Sequence, residues 1–238
     1  MAAVTNAFSS VPPVPSVPSA PPVPGVPAPF DPASPPRLTV GFDLDMTLID
    51  SRPGIKAVYD RLAAETGVFI DSDLAVTRLG PPLDAELANW FPPEQVPAVA
   101  DRYRELYPHH AITPTPAMPG AVEAVAAVRA AGGRPVVVTA KYGPNAELHL
   151  AHVGIEAELR GWLWAEAKAE ALVEWGASVY VGDHTGDVRG ARTAGALSVA
   201  VATGPCSAAE LRAAGADVVL ADLGEFPGWL AAHTSAAA

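Results

Sequence analysis

The chain has 238 residues, half of them apolar, and a formal charge of −11. That length allows one domain with an inserted subdomain, or two small domains, and the apolar share permits a real core. The acidic balance offers no basic footprint for nucleic acid, the single cysteine, Cys206, excludes an intrachain disulfide or a Cys-based zinc site, and no apolar run reaches the length of a membrane span.

Residues 1–36 form a zone of their own, VPPVPSVPSAPPVPGVPAPFDPASPP after a short leader, with nearly half of the chain's 26 prolines. Proline has no amide donor and a fixed φ, so a disordered tail leaning to polyproline II is expected here. The first ten residues hold no Lys or Arg and no continuous apolar segment follows, so a secretory signal is not expected and a cytoplasmic location is.

From Leu38 the pattern changes. RLTVGF reads as a buried strand over 38–43 running into Asp43 and Asp45, with Thr47 close behind. A helix is expected from about Pro53 to Glu65, with Ile55, Val58, Tyr59 and Leu62 on one face and Gly67 as its stop. Residues 71–107 are helical in pattern and contain no strand, so 53–118 is expected to be an all-helical insert placed over something. His109 and His110 fall in a loop leaving it.

Strand–helix alternation then resumes. A helix runs from Pro119 to the Gly132-Gly133 stop, and a β-branched strand covers 135–139. The helix NAELHLAHVG follows, then a weak strand near 161–164 and the helix AEAKAEALVEWG. The strand SVYVGD, the helix DVRGARTAGA, the strand LSVAVATG, the helix SAAELRAAG, the strand DVVL and a last helix from Glu225 complete the chain. Apolar strands alternating with amphipathic helices predict a Rossmann-like α/β core, 37–52 and 119–238, with a parallel sheet covered on both faces.

Such sheets bind ligands beyond the carboxyl ends of their strands. Asp43, Thr139 and Asp183 each end a strand, Asp187 lies four residues further on, and Lys168 begins a helix that can reach the same edge. Asp43, Asp45, Asp183 and Asp187 are hard oxygen donors suited to Mg²⁺. Thr139 offers a hydroxyl and a strand-end amide to a phosphate oxygen, and Lys168 a compact positive charge. A carboxylate attacking phosphorus needs its charge offset, and a metal with a lysine supplies that. Asp45 is placed to protonate a leaving oxygen and later to activate water.

These segments resemble the motifs of the haloacid dehalogenase superfamily of hydrolases, in its phosphoglycolate-phosphatase-like branch. They are Asp43-Leu44-Asp45-Met46-Thr47, VVVT ending at Thr139, the lone Lys168, and VYVGDHTGD with Asp183 and Asp187. The resemblance spans roughly 38–222. It implies a Mg²⁺-dependent phosphatase acting on a small phosphorylated metabolite. Asp43 would be the nucleophile and Asp45 the general acid/base, also binding the metal through its carbonyl. Thr139 and Lys168 would hold the phosphoryl group, and Asp183 with Asp187 behind it would hold Mg²⁺. The helical insert would be a cap, with Gly80-Pro81-Pro82 dipping toward substrate.

Met46 stands where many relatives have Gly, which points to an altered turn. The same residues would also serve a phosphosugar mutase of this fold, and a phospho-accepting module or a scaffold working through the proline-rich tail is the non-enzymatic alternative. Lys141 is read either as a phosphate ligand or as an exposed loop lysine. His149 and His152 are read as exposed polar residues, Trp162, Trp164 and Trp175 as packing residues, and Arg52, Arg78, Arg102 and Arg104 as candidates for lining the cap side. Oligomeric state and substrate identity are not legible.

Overall fold

A computed structural model describes residues 38–236; the proline-rich segment expected to be disordered lies outside them. Among the described residues, six strands form one parallel sheet: β1 (Thr39–Phe42), β2 (Arg134–Val138), β3 (Glu158–Arg160), β4 (Val179–Gly182), β5 (Leu197–Val201) and β6 (Val218–Leu220). Their order is β3-β2-β1-β4-β5-β6. The first strand therefore sits in the middle, with β2 and β4 as parallel neighbours. Its residues are all buried, which suits an apolar run covered on both faces. The expected Rossmann-like α/β architecture is what forms.

Ten α-helices among the described residues surround or interrupt this sheet. Five lie between β1 and β2, and the first four of them make up the insert: α1 (Arg52–Thr66), α2 (Ser72–Ala75), α3 (Leu83–Leu87) and α4 (Val96–His110). The others are α5 (Ala121–Ala130), α6 (Gly143–His152), α7 (Lys168–Glu174), α8 (Thr185–Ala194), α9 (Ala208–Ala213) and α10 (Phe226–Ala236). Pro53 opens α1 and Gly67, at φ 70°, closes it with its amide on Ala63 O. This is the proline-first, glycine-last pattern expected from the sequence.

The main core gathers Val40, Phe42, Val137, Val181 and Val199 of the sheet with Ala121, Val125, Phe226 and Leu230 of α5 and α10. Phe226 meets Phe42 edge to face at 5.4 Å. The insert has an apolar cluster of its own, built on Val58, Tyr59, Leu62, Leu87, Tyr103 and Tyr107. The segments entering and leaving it run side by side: Asp50 N–H donates to Pro116 O (3.0 Å) and Met118 N–H to Leu48 O (2.9 Å). Both ends of the insert thus leave the core at one place.

Two local expectations are corrected. The weak strand falls at 158–160, not 161–164, because it pairs with Val136, Val137 and Val138 of β2. Beyond it, Trp162 has a positive φ of 66°, which ends extended backbone there. His109 and His110 lie inside α4, which continues through Pro108. That proline lacks the N–H that would bond to Arg104 O, and only two residues of helix follow it.

Candidate active site at the carboxyl edge of the sheet

Asp43 follows β1 directly, and its amide donates to Val181 O (2.8 Å), so the central strand pair fixes its position. Asp183 follows β4. Asp187 sits in the first turn of α8, which starts two residues earlier than the sequence pattern suggested. Oxygens of Asp43, Asp183 and Asp187 lie within 4.8 Å of one another, and all three residues are buried. Gly182 allows this approach, because a Cβ there would run into the Asp187 carboxylate. Asp187 also completes a capping box with His184: its Oδ2 accepts from His184 N–H (3.0 Å), and His184 Nδ1 accepts from Gly186 N–H (2.9 Å). Thr47, two residues past Asp45, donates its hydroxyl to Asp183 Oδ1 at 3.0 Å.

Lys168 is fully buried beneath this cluster. Its ammonium lies 2.6 Å from Asp187 Oδ1 and 3.0 Å from Asp43 Oδ1. It also donates to Tyr180 Oη (2.9 Å), whose own proton goes to Val138 O (2.7 Å). Burial opposes charge on this lysine, but Asp187 and Asp43 outweigh it and hold its pKa above the ordinary value. One ammonium does not balance three buried carboxylates. Burial pushes Asp43 up to about 7, against the pull of Lys168 and with the push of Asp187 and Asp45. Asp183 is driven well above the ordinary carboxyl value by burial and by the charges of Asp187 and Asp43. Asp43 Oδ1 is near Lys168 in distance, yet among the described residues no donor reaches it at hydrogen-bonding angles. A buried oxygen without a donor beside two like charges suits a hard cation.

Asp45 lies two residues further on. Met46 takes φ 60°, the left-handed region where glycine is the easy choice, and the turn is pinned by Met46 N–H to Ile49 O (2.8 Å) and Thr203 Oγ1 to Met46 O (2.6 Å). The altered turn expected from Met46 is thus a conformation normally left to glycine but held by an ordinary residue. Asp45 Oδ1 pairs with Lys141 at 2.9 Å. Burial would raise the Asp45 pKa, but Lys141 overrides it and holds the carboxyl below its usual value.

Thr139 follows β2 and is buried. Its amide is not free as the sequence reading supposed: it donates to Arg160 O (3.0 Å), extending the ladder to β3. Its hydroxyl accepts from Lys141 N–H (3.2 Å) and turns that loop toward Asp45.

Four further expectations change. Lys141 is not an exposed loop lysine; its side chain is 9% exposed, with its ammonium 4.7 Å from the Tyr107 ring centroid. His149 is fully buried, not solvent-facing, and its Nε2 meets Tyr107 Oη at 2.9 Å. Trp162 is no packing residue: it is 58% exposed at the cavity mouth. Of the arginines, Arg78 and Arg104 line the cavity, whereas Arg52 pairs with Asp50 and Arg102 with Glu65 and Glu105 on the surface. The aromatic partner that Lys141 and His149 share, Tyr107, comes from α4, so sequence order gave no sign of it.

Between insert and sheet edge lies a cavity of about 370 Å³. Asp43, Asp45, Thr139 and Lys141 line it from the core, and Tyr59, Arg78, Tyr103, Arg104 and Tyr107 from the insert. Gly80, at φ 127°, docks against the core, where a Cβ would come within 2.9 Å of the His184 ring and 3.2 Å of Trp164. The Gly80-Pro81-Pro82 loop does reach the cavity, as the resemblance implied.

Residues 40–192 match the family model of the haloacid dehalogenase-like hydrolases, and 159–226 match a second model, HAD-hydrolase-like. A phosphoglycolate phosphatase from Caulobacter vibrioides is 29% identical over 212 residues, covering 76% of this chain and 86% of that protein. Among solved structures, a predicted phosphatase from Clostridium acetobutylicum superposes with a TM-score of 0.71 at 24% identity, covering 82% of this chain and 98% of that one. A HAD family hydrolase from Deinococcus radiodurans, with bound phosphate and sodium, gives 0.61 at 25% identity, covering 84% and 98%. The chain belongs to the haloacid dehalogenase-like hydrolase family. No helix among the described residues is long and apolar enough to cross a membrane.

Proposed function

We propose that the protein hydrolyses a small phosphate monoester with Mg²⁺, through a phosphoryl group carried on Asp43. The observation that carries the reading is the buried meeting of Asp43, Asp183 and Asp187 over Lys168, with Asp43 reaching the cavity wall. Asp43 and Asp183 would hold the ion with the Asp45 carbonyl. Asp187 has one oxygen on Lys168 and the other on the His184 amide, so it holds Lys168 and the α8 turn in place. When bound, Mg²⁺ would offset negative charge on the carboxylates and the phosphate.

A carboxylate oxygen of Asp43 attacks phosphorus, and the bond from phosphorus to the ester oxygen breaks. Asp45 gives a proton to that leaving oxygen once the phosphate has drawn Lys141 off its carboxylate and so lifted the low pKa that this pair imposes. Water then attacks the aspartyl phosphate, Asp45 takes the proton back, and phosphate leaves with Asp43 restored. Lys168 neutralises Asp43 and Asp187 throughout, and the Thr139 hydroxyl and Lys141 border the phosphoryl position. The helical insert, proposed as a cap over 53–118, shuts water and macromolecules from the floor and favours a small substrate. The test is phosphate release from 4-nitrophenyl phosphate with Mg²⁺ and with EDTA. Turnover confined to the Mg²⁺ arm is expected; folded protein inactive in both arms refutes the reading.

A further inference from the structure

Each cation on the cavity wall already has a carboxylate partner. Lys141 pairs with Asp45 at 2.9 Å, Arg78 with Glu86 at 2.5 Å, and Arg104 with Asp101 at 2.9 Å and Asp84 at 3.2 Å. Of the wall's four carboxylates, Asp43 is answered from below by Lys168 at 3.0 Å, and Asp45, Asp84 and Glu86 by those three cations. A second anionic group on the substrate would find no unpaired cation there. The space is also generous: about 370 Å³ is roughly a dozen waters at ~30 Å³ each.

What the wall does offer is flat and uncharged. Tyr59 and Tyr103 face it from the insert and Trp162 from the core, with the buried amide of Asn145 as a neutral polar group. Trp162 is the telling residue. It takes φ 66°, a costly conformation for a bulky side chain, and this holds its indole out at the mouth rather than in the core. Its amide is fixed to Lys141 O at 3.0 Å. The Arg104 guanidinium covers its ring at 4.8 Å, and Tyr142 meets it edge-on at 5.3 Å. An aromatic ring held in place this firmly is a ready stacking surface.

We propose that the leaving group is a planar, uncharged ring alcohol, seated against Trp162 and the insert tyrosines, and not a small carboxylate-bearing alcohol. The inference rests on the phosphatase reading and sets its substrate class.

The test compares kcat/KM with Mg²⁺ for benzyl phosphate, 4-carboxybenzyl phosphate, cyclohexylmethyl phosphate and 2-phosphoglycolate. All four esters release a non-phenolic alcohol, so ring shape and charge are compared without the advantage of a phenolate leaving group. Benzyl phosphate should exceed both carboxylate esters by about 10-fold or more, since a carboxylate desolvated without an unpaired cation costs at least the ~1.4 kcal/mol of one such factor. It should exceed the non-planar ring ester by a few-fold. Trp162→Ala should lower kcat/KM for benzyl phosphate by about 3- to 10-fold, mainly through KM, and Trp162→Phe should restore most of it. Phosphoglycolate or the carboxybenzyl ester matching benzyl phosphate overturns the inference and leaves the phosphatase reading standing. No phosphate released from any ester overturns both.

Discussion

Replacing His149 with Leu should remove a specific share of the protein's acid sensitivity. The ring is fully buried on α6, its Nε2 on the Tyr107 hydroxyl of α4 and its Nδ1 without a partner. Burial pushes its pKa down to about 3, and the nearby Lys141 ammonium pushes the same way. The folded protein thus keeps this imidazole neutral while the unfolded chain, with an ordinary value near 6.5, takes up a proton. The unfolded state then binds more protons, so stability falls as pH drops through 6.5 and goes on falling toward 3. At ~1.4 kcal/mol per pH unit, going from pH 6.5 to 5 costs about 2 kcal/mol from this residue alone. Urea unfolding in EDTA at pH 7 and pH 5 measures it. His149→Leu abolishes the Tyr107 contact and lowers stability at both pH values, but the pH-dependent loss should be smaller than in wild type by about 2 kcal/mol. Equal losses in both proteins would refute the assignment of a neutral buried histidine at this joint between insert and core.

Lys168→Met leaves Asp43 and Asp187 buried beside Asp183 without the cation the two share. It should cost about 3–5 kcal/mol of stability, seen as a lower urea midpoint, and should abolish phosphate release. Mg²⁺ should raise the thermal midpoint of the wild type, by about 2.7 kcal/mol of stabilisation at a hundred times its dissociation constant, and Asp183→Asn should lose most of that rise in a calorimetric scan. Gly80→Ala puts a methyl against the His184 ring at a backbone angle that only glycine takes easily. It should raise KM through a displaced loop while leaving the core's unfolding free energy in urea within about 0.5 kcal/mol.

Most of the sheet was legible because its strands are short β-branched runs, VVV and VYV among them, that stop at a polar residue. The stop marks the carboxyl edge, and so Asp43, Thr139 and Asp183 could be placed without coordinates. Asp187 and Lys168 were legible only through their order along the chain, since a lysine near the start of an Ala/Glu helix looks like any surface lysine. What the sequence could not carry is contact between α4 and the loop after β2. Tyr107 reaches His149 and Lys141 only once the insert has folded back over the core, so a histidine in an amphipathic helix read as exposed and a loop lysine as ambiguous. Trp162 failed for a related reason. Its positive φ turns an apolar residue outward, against the rule that indoles seek the core.

Capture of the phosphoryl group on one identified carboxylate tests the proposed chemistry most directly. In Asp45→Asn, 4-nitrophenyl phosphate should still be cleaved, because its alcohol leaves without help, whereas the second step lacks its base and the phosphoenzyme should accumulate. Acid quench, borohydride reduction and peptide mass analysis should then show homoserine at position 43. Phosphate released with position 43 unmodified and another side chain carrying the label would contradict it.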